Sequence, residues 1–206
     1  MSDPQSAPPS SQTILRPPTV ARTPAPQDYR PPSLAFLHDT FHVTHSSLPM
    51  WKSKRNVRIT YTPLTPSSAT IPEERTDRLD DLVQYQTLSG DKVHTVRGID
   101  TASSEGRDAW DWRGRGWLII AGSHWEVLGW GEELNDTGER NKWAVTYFAK
   151  TLFTPAGVDV YSSKEGGLKK DTIESIRNAL AEVNDDSVKK LAREIFEIKH
   201  DGARFD

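Results

Sequence analysis

The chain has no cysteine. That absence excludes disulfide frameworks, thiolate metal sites and cysteine nucleophiles together, and it fits a reducing compartment. Long apolar runs are missing too. No stretch approaches the roughly 20 consecutive apolar residues of a membrane helix, and the first residues lack the apolar centre of a secretory signal, so a soluble, cytoplasmic protein with no membrane span is expected. Neither sign of charge is in excess. Twenty-six Lys+Arg against 29 Asp+Glu give a net charge of -3, without the basic footprint that nucleic-acid binding needs. The sequence also has no Gly-Xaa-Ser-Xaa-Gly elbow, P-loop or dinucleotide fingerprint. Gly114-Arg115-Gly116 leads into a strand-like run and opens no helix, so it is not a phosphate cradle. No cofactor, no metal and no nucleic-acid partner are expected.

What is present divides the chain into three parts. Nine of the 14 prolines fall in residues 1–33, where they interrupt any helical period and leave too few apolar residues to offset ordering entropy. A disordered leader is expected there, either solvated or offering extended segments to a partner. Arg16, Arg22 and Arg30 lie among Ser and Thr, as in a transit peptide, but the prolines preclude its amphipathic helix. Residues 34–163 change texture to short β-branched and aromatic runs between turn clusters, and 164–206 read as a helical segment.

Alternation is clearest at 56–62, where Val57, Ile59 and Tyr61 share one face. Further strands are expected at 38–45, 81–88, 92–100, 116–122, 123–131, 142–151 and 157–162. Val83, Tyr85 and Thr87 share a face of the third of these eight. Ser-Gly-Asp at 89–91, Gly122-Ser123, Asn135-Asp136-Thr137-Gly138 and Thr154-Pro155-Ala156-Gly157 supply turns. Connections this short forbid crossover helices. The expected fold is therefore mainly β, an antiparallel up-and-down barrel of about eight strands with a C-terminal helical tail, a β-sandwich being the alternative. In the tail, Asp171 reads as an N-cap with Glu174 as its partner, ahead of a stripe of Ile173, Ile176, Leu180 and Val183. A second helix, led by Asp185-Asp186-Ser187, carries Val188, Leu191, Ile195 and Ile198. The pair is expected to pack on the outside or at one end of the barrel.

Six of the seven tryptophans, Trp110, Trp112, Trp117, Trp125, Trp130 and Trp143, crowd into residues 110–143. They suit either the wall of an apolar cavity or a packed core. Arg97 falls in phase with Val93, Thr95 and Ile99. If that face is inward, Arg97 meets a ligand carboxylate or an internal acid; if His94, Val96 and Gly98 face inward, it lies in water. Tyr61, Tyr85 and Tyr147 are in phase with apolar neighbours and offer hydroxyls to the same cavity. The expected ligand-binding set is Tyr61, Tyr85, Arg97, Trp117, Trp125, Trp143 and Tyr147, with no catalytic residue assigned. His38 and His42 share a strand face that His45 does not, which argues against a metal site. His124 and Glu126 share a face and have the chemistry of an acid/base pair, but exposed strand residues have the same pattern.

These features resemble the calycin group, the lipocalin-like and fatty-acid-binding-like barrels. Those barrels open on a Gly-Xaa-Trp strand signature, and Asp39-Thr40-Phe41-His42-Val43 occupies that place here, with Asp for Gly and Phe for Trp. The resemblance to small lipocalin-like proteins rests further on residues 45–51 (His-Ser-Ser-Leu-Pro-Met-Trp), 55–61 (Arg-Asn-Val-Arg-Ile-Thr-Tyr), 125–129 (Trp-Glu-Val-Leu-Gly) and 151–157 (Thr-Leu-Phe-Thr-Pro-Ala-Gly), covering about residues 35–163. It implies an eight-stranded barrel that binds a hydrophobic ligand reversibly, and it carries over no catalytic residue. The expected function is binding of an apolar or amphipathic small molecule in the barrel. Two alternatives stand beside it: a barrel-cavity enzyme of isomerase, cyclase or decarboxylase type, and an interaction module with a solid core.

Overall fold

The computed structural model describes residues 13–65, 77–104 and 108–203. Alternating side chains set its main elements. In β2 (Lys54–Leu64), Val57, Ile59 and Tyr61 turn to one buried face, and the same two-residue period runs through β1 (Asp39–Ser46), β3 (Arg78–Thr87) and β4 (His94–Ala102). The chain continues through β5 (Ala109–Gly114), β6 (Gly122–Leu134), β7 (Arg140–Phe148) and β8 (Gly157–Ser162). Each strand from β2 to β8 pairs antiparallel with the next. Strand β1 pairs with β2 through Asp39–His42 and with β8 through His42–Ser46, which closes an eight-stranded antiparallel barrel and leaves the eight without a free edge.

The run 116–122 differs from its expected strand. Gly116 takes φ +65° and opens a one-turn 3-10 helix, Gly116–Leu118. A Cβ on Gly114 would lie 2.4 Å from the Leu118 carbonyl oxygen, so the chain folds back on itself here. The fifth strand is β5, with Trp110 and Trp112 at alternate positions. At Asn135–Gly138 the predicted turn forms, with Gly138 at φ +79°.

Helices α2 (Lys170–Glu182) and α3 (Asp186–Arg193) lie on the outer face. Ile176, Leu180, Val183 and Val188 are buried there against Leu128, Val145, Val158 and Val160, so strands β7 and β8 are apolar on both faces. Asp185 caps α3 by accepting from the Val188 amide at 2.8 Å. Asp171, expected to cap α2, lies inside its first turn, and a distant residue does the capping: the Glu133 carboxylate on β6 accepts from the Lys169 amide at 3.0 Å and from the Thr172 hydroxyl. The second helix stops short of Ile198. Phe196–Glu197 (β9) instead pairs with the upper end of β1, and Ile198 is buried in the barrel core. No helix among the described residues is long and apolar enough to cross a membrane.

The leader expected at 1–33 has its first 12 residues outside the described set. From Thr13 onward it differs from a solvated tail, because it lies along the outside of β6. The Arg16 amide donates to the Leu128 carbonyl at 2.8 Å, and Leu15 packs over Gly129, where a Cβ would come within 2.2 Å of it. The buried Arg16 guanidinium donates to Asp108 at 2.7 Å and to Glu126 at 2.6 Å. Tyr29 donates to the Asp108 carboxylate, and Trp130 donates through Nε1 to the Arg30 carbonyl at 2.7 Å. Pro18, at φ −64° and ψ 154°, holds the extended conformation that this path along a strand needs. The apolar content here is low, as the composition indicates, but the anchoring force is a paired charge. Beyond the leader, α1 (Leu34–Leu37) sets Phe36 against Trp130, ring centroids 4.6 Å apart, at the lower end of the barrel.

Replacing Arg16 by Met leaves Asp108 and Glu126 buried without their cation, so the folded state should lose about 3–5 kcal/mol. Urea unfolding of the variant beside the parent chain measures this, and an unchanged midpoint would show that the clasp contributes nothing.

Candidate ligand-binding cavity

Aromatic stacking divides the barrel interior. Trp125 stacks on Tyr61 at 5.2 Å and on Trp110 at 5.9 Å, and Phe41 lies 6.4 Å from Tyr61 and 5.9 Å from Tyr161. These buried rings fill the lower half. Above them is a cavity of about 550 Å³, a volume typical of small-molecule pockets. Ile59, Tyr61, Val83, Tyr85, Val96, Trp112, Trp125 and Phe148 form its walls and floor. The mouth is formed by three connections, at Leu48–Trp51, Ile120–Ser123 and Thr151–Thr154. Ile120, Leu152 and Phe153 are 88–89% exposed there, so the apolar surface continues from the cavity out to solvent.

The polar features of the interior are acidic. Asp81 lines the cavity, is 6% exposed and has no hydrogen-bond partner at Oδ1. Trp112 donates a hydrogen bond to its carboxylate. Gly98, the cross-strand partner of Asp81, makes room for this: a Cβ there would sit 2.0 Å from Trp112 Nε1. Asp100 accepts from Trp125 Nε1 at 2.8 Å and leaves Oδ2 unpartnered. Asp159 accepts from Ser46 at 2.5 Å and from Trp51 Nε1 at 3.2 Å. Burial pushes the Asp100 and Asp159 carboxyls up to about 7. Asp81 is raised well above the usual carboxylate range, by burial first and then by the neighbouring Asp100.

Of the residues expected to bind ligand, Tyr61, Tyr85 and Trp125 meet in this cavity. Trp143 and Tyr147 do not, because they lie on the outer face of β7 in the cluster under α2 and α3. Arg97 also faces outward and is exposed, while the opposite phase of β4, with Val96, Gly98 and Asp100, faces in. The interior acids have indole N–H donors in place of an arginine, from Trp125 to Asp100 and from Trp51 to Asp159. Trp117 lies in the 3-10 turn after β5, and its side chain is outside the described residues. Trp51, Asp81, Trp112 and Phe148 complete the site. Asp81 had a signal in the sequence, since it is two residues before Val83 in the same phase.

The other clusters lie elsewhere. His124 and Glu126 are on the outer wall, where His124 Nδ1 lies 2.8 Å from Asp111 and Nε2 lies 3.4 Å from Glu126. Glu126 also accepts from Thr19 and Arg16. Burial alone would raise Glu126, but hydrogen bonds from His124, Thr19 and Arg16 outweigh it and hold the group at about 2, while Glu126 in turn raises His124 to about 9. The pair therefore anchors the leader and does not face the cavity. Among the described residues no group of three His, Cys, Asp or Glu side chains is placed to hold a metal ion.

No protein-family model matches the sequence, and no curated protein matches it. Solved structures do share the fold. Lobster apocrustacyanin A1 matches with a TM-score of 0.55 at 9% identity, over 82% of this chain and 81% of that one. The siderocalin Ex-FABP, described as functioning through dual ligand specificities, matches at 0.54 and 13% identity over 83% and 99%. H1 crustacyanin from the lobster Homarus americanus matches at 0.54 and 10% identity over 98% and 95%. The closed eight-stranded antiparallel barrel is thus of the calycin, lipocalin-like kind.

The buried acids make stability depend on pH in a defined direction. Asp100 has its folded value raised from 3.8 to about 7, so the stability linked to its proton is fully present below the unfolded value and is lost as pH rises through about 7. Asp100→Asn removes that loss. The variant should therefore gain on the parent chain between about pH 4 and about pH 8, as read from urea unfolding across that range. A constant difference would contradict the raised value.

Proposed function

We propose that this protein binds a hydrophobic or amphipathic small molecule within its barrel, in the cavity above the Trp125 stack. The observation that carries the reading is the cavity itself, about 550 Å³ of mostly apolar space that opens between apolar loops. A solid-core interaction module would have no such space. Burying a ligand's apolar surface against Trp51, Trp112, Trp125 and Phe148 supplies affinity at roughly 25 cal/mol per Å² removed from water, and the exposed Ile120, Leu152 and Phe153 give it a continuous apolar route inward. The shared fold with the siderocalin Ex-FABP, described by its ligand specificities, supports the same reading.

Binding should quench or shift the emission of Trp112 and Trp125, and native mass spectrometry should retain a bound small molecule. Val83→Trp, on the cavity wall, should fill the space and weaken binding about tenfold or more while the barrel stays folded. Unchanged affinity in that variant would place the ligand elsewhere and overturn the reading.

A second reading, acid/base chemistry on an enclosed substrate, is favoured by one observation. Asp81 is a carboxyl raised well above its ordinary range inside the cavity and is suited to donate a proton. Conversion of the retained molecule during incubation with the parent chain, absent with Asp81→Asn, distinguishes catalysis from storage.

A further inference from the structure

The walls of the cavity are apolar, yet its floor carries a carboxyl. Asp81 is nine-tenths buried, lines the cavity and leaves Oδ1 without a hydrogen-bond donor. An unpartnered buried acceptor costs free energy on the order of 1–3 kcal/mol, and a donor brought in by a ligand removes that cost.

Aromatic side chains adjoin it, with Tyr61 its cross-strand partner on β2. Trp112 is hydrogen-bonded to Asp81, and Tyr61 and Trp125 form the stacked floor beside it. A carboxylate among aromatic rings is the chemistry that holds an ammonium group, because the ring faces attract the cation and the carboxylate takes its N–H bonds. The rest of the interior has the same bias. Asp100 from β4 and Asp159 from β8 add two more buried acids. Among the described lining residues the one cation is Lys54, whose Nζ lies 4.9 Å from the centre of the Tyr85 ring, the ring on which His94 stacks at 5.3 Å.

We propose that the cavity selects amphiphiles with a protonated amine, the ammonium docking on Asp81 and the apolar body extending toward the mouth. This inference rests on the reading of the barrel as a ligand container and names the head group that the container takes. An ammonium arriving at Asp81 allows the carboxyl to ionise, so the floor's acid proton leaves to solvent as the cation takes its place. A neutral alcohol of the same length drives no such release.

The test is isothermal titration of the full chain with decylamine, 1-decanol and decanoate, each in two buffers of different ionisation enthalpy. The expected result is that the amine binds about tenfold or more tighter than the alcohol, with proton release, and that decanoate binds weakest. Asp81→Asn, close in shape to the parent residue, should abolish the preference for the amine over the alcohol. The comparison among ligands on the parent chain needs no variant, so it decides the matter even if Asp81→Asn unfolds. If the alcohol binds and the amine is no tighter, or if decanoate is preferred, the ammonium assignment is overturned while the container reading stands. If none of the three binds, both are overturned.

Discussion

Trp125 holds the interior together. Its ring stacks on Tyr61 and on Trp110, its indole nitrogen donates to the otherwise unpartnered Asp100, and its side chain also lines the cavity. One side chain therefore joins β2, β4, β5 and β6 across the barrel. Large aromatic rings pack the lower half around it, and the cavity opens above them. The cavity is a consequence of where this stack stops.

The two faces of the barrel solve different physical problems. Inside, three buried carboxyls have one or two hydrogen bonds each, and burial raises all three above the usual carboxylate range. Outside, the buried charges that hold the leader are paired. Arg16 bridges Asp108 and Glu126, and His124 adds to the same network. The leader segment is ordered by that network more than by apolar contact, which explains how a proline-rich stretch comes to lie on a strand at all. Loss of the paired charges and protonation of the interior acids thus act on different parts of the molecule.

Much of the fold could be read from residue pattern. Alternation at 56–62, hairpin chemistry at 89–91 and the turn at 135–138 are local properties, and each is found where local preference places it. The misreadings have local causes as well. The apolar run after Gly116 has strand-like composition, but its glycines make a tight turn, and Ile195 and Ile198 continue a helical spacing although the chain leaves α3 to pair with β1. The site was legible only in part. Tyr61, Tyr85 and Trp125 share the cavity, whereas Trp143 and Tyr147 show the same apolar phasing because α2 and α3 cover the outer face of β7.

The sequence by itself determined the strand and helix periods, the turns and the crowding of tryptophans, because these depend on residues close together in the chain. Only the tertiary structure decided which phase of each strand faces inward. A period of two defines two faces and is blind to which one closes on the barrel axis. That choice put Asp81 at the cavity floor and Arg97 in solvent. It follows from the closure of β1 on both β2 and β8 and from the helices that bury a second face, and both join residues far apart in the chain.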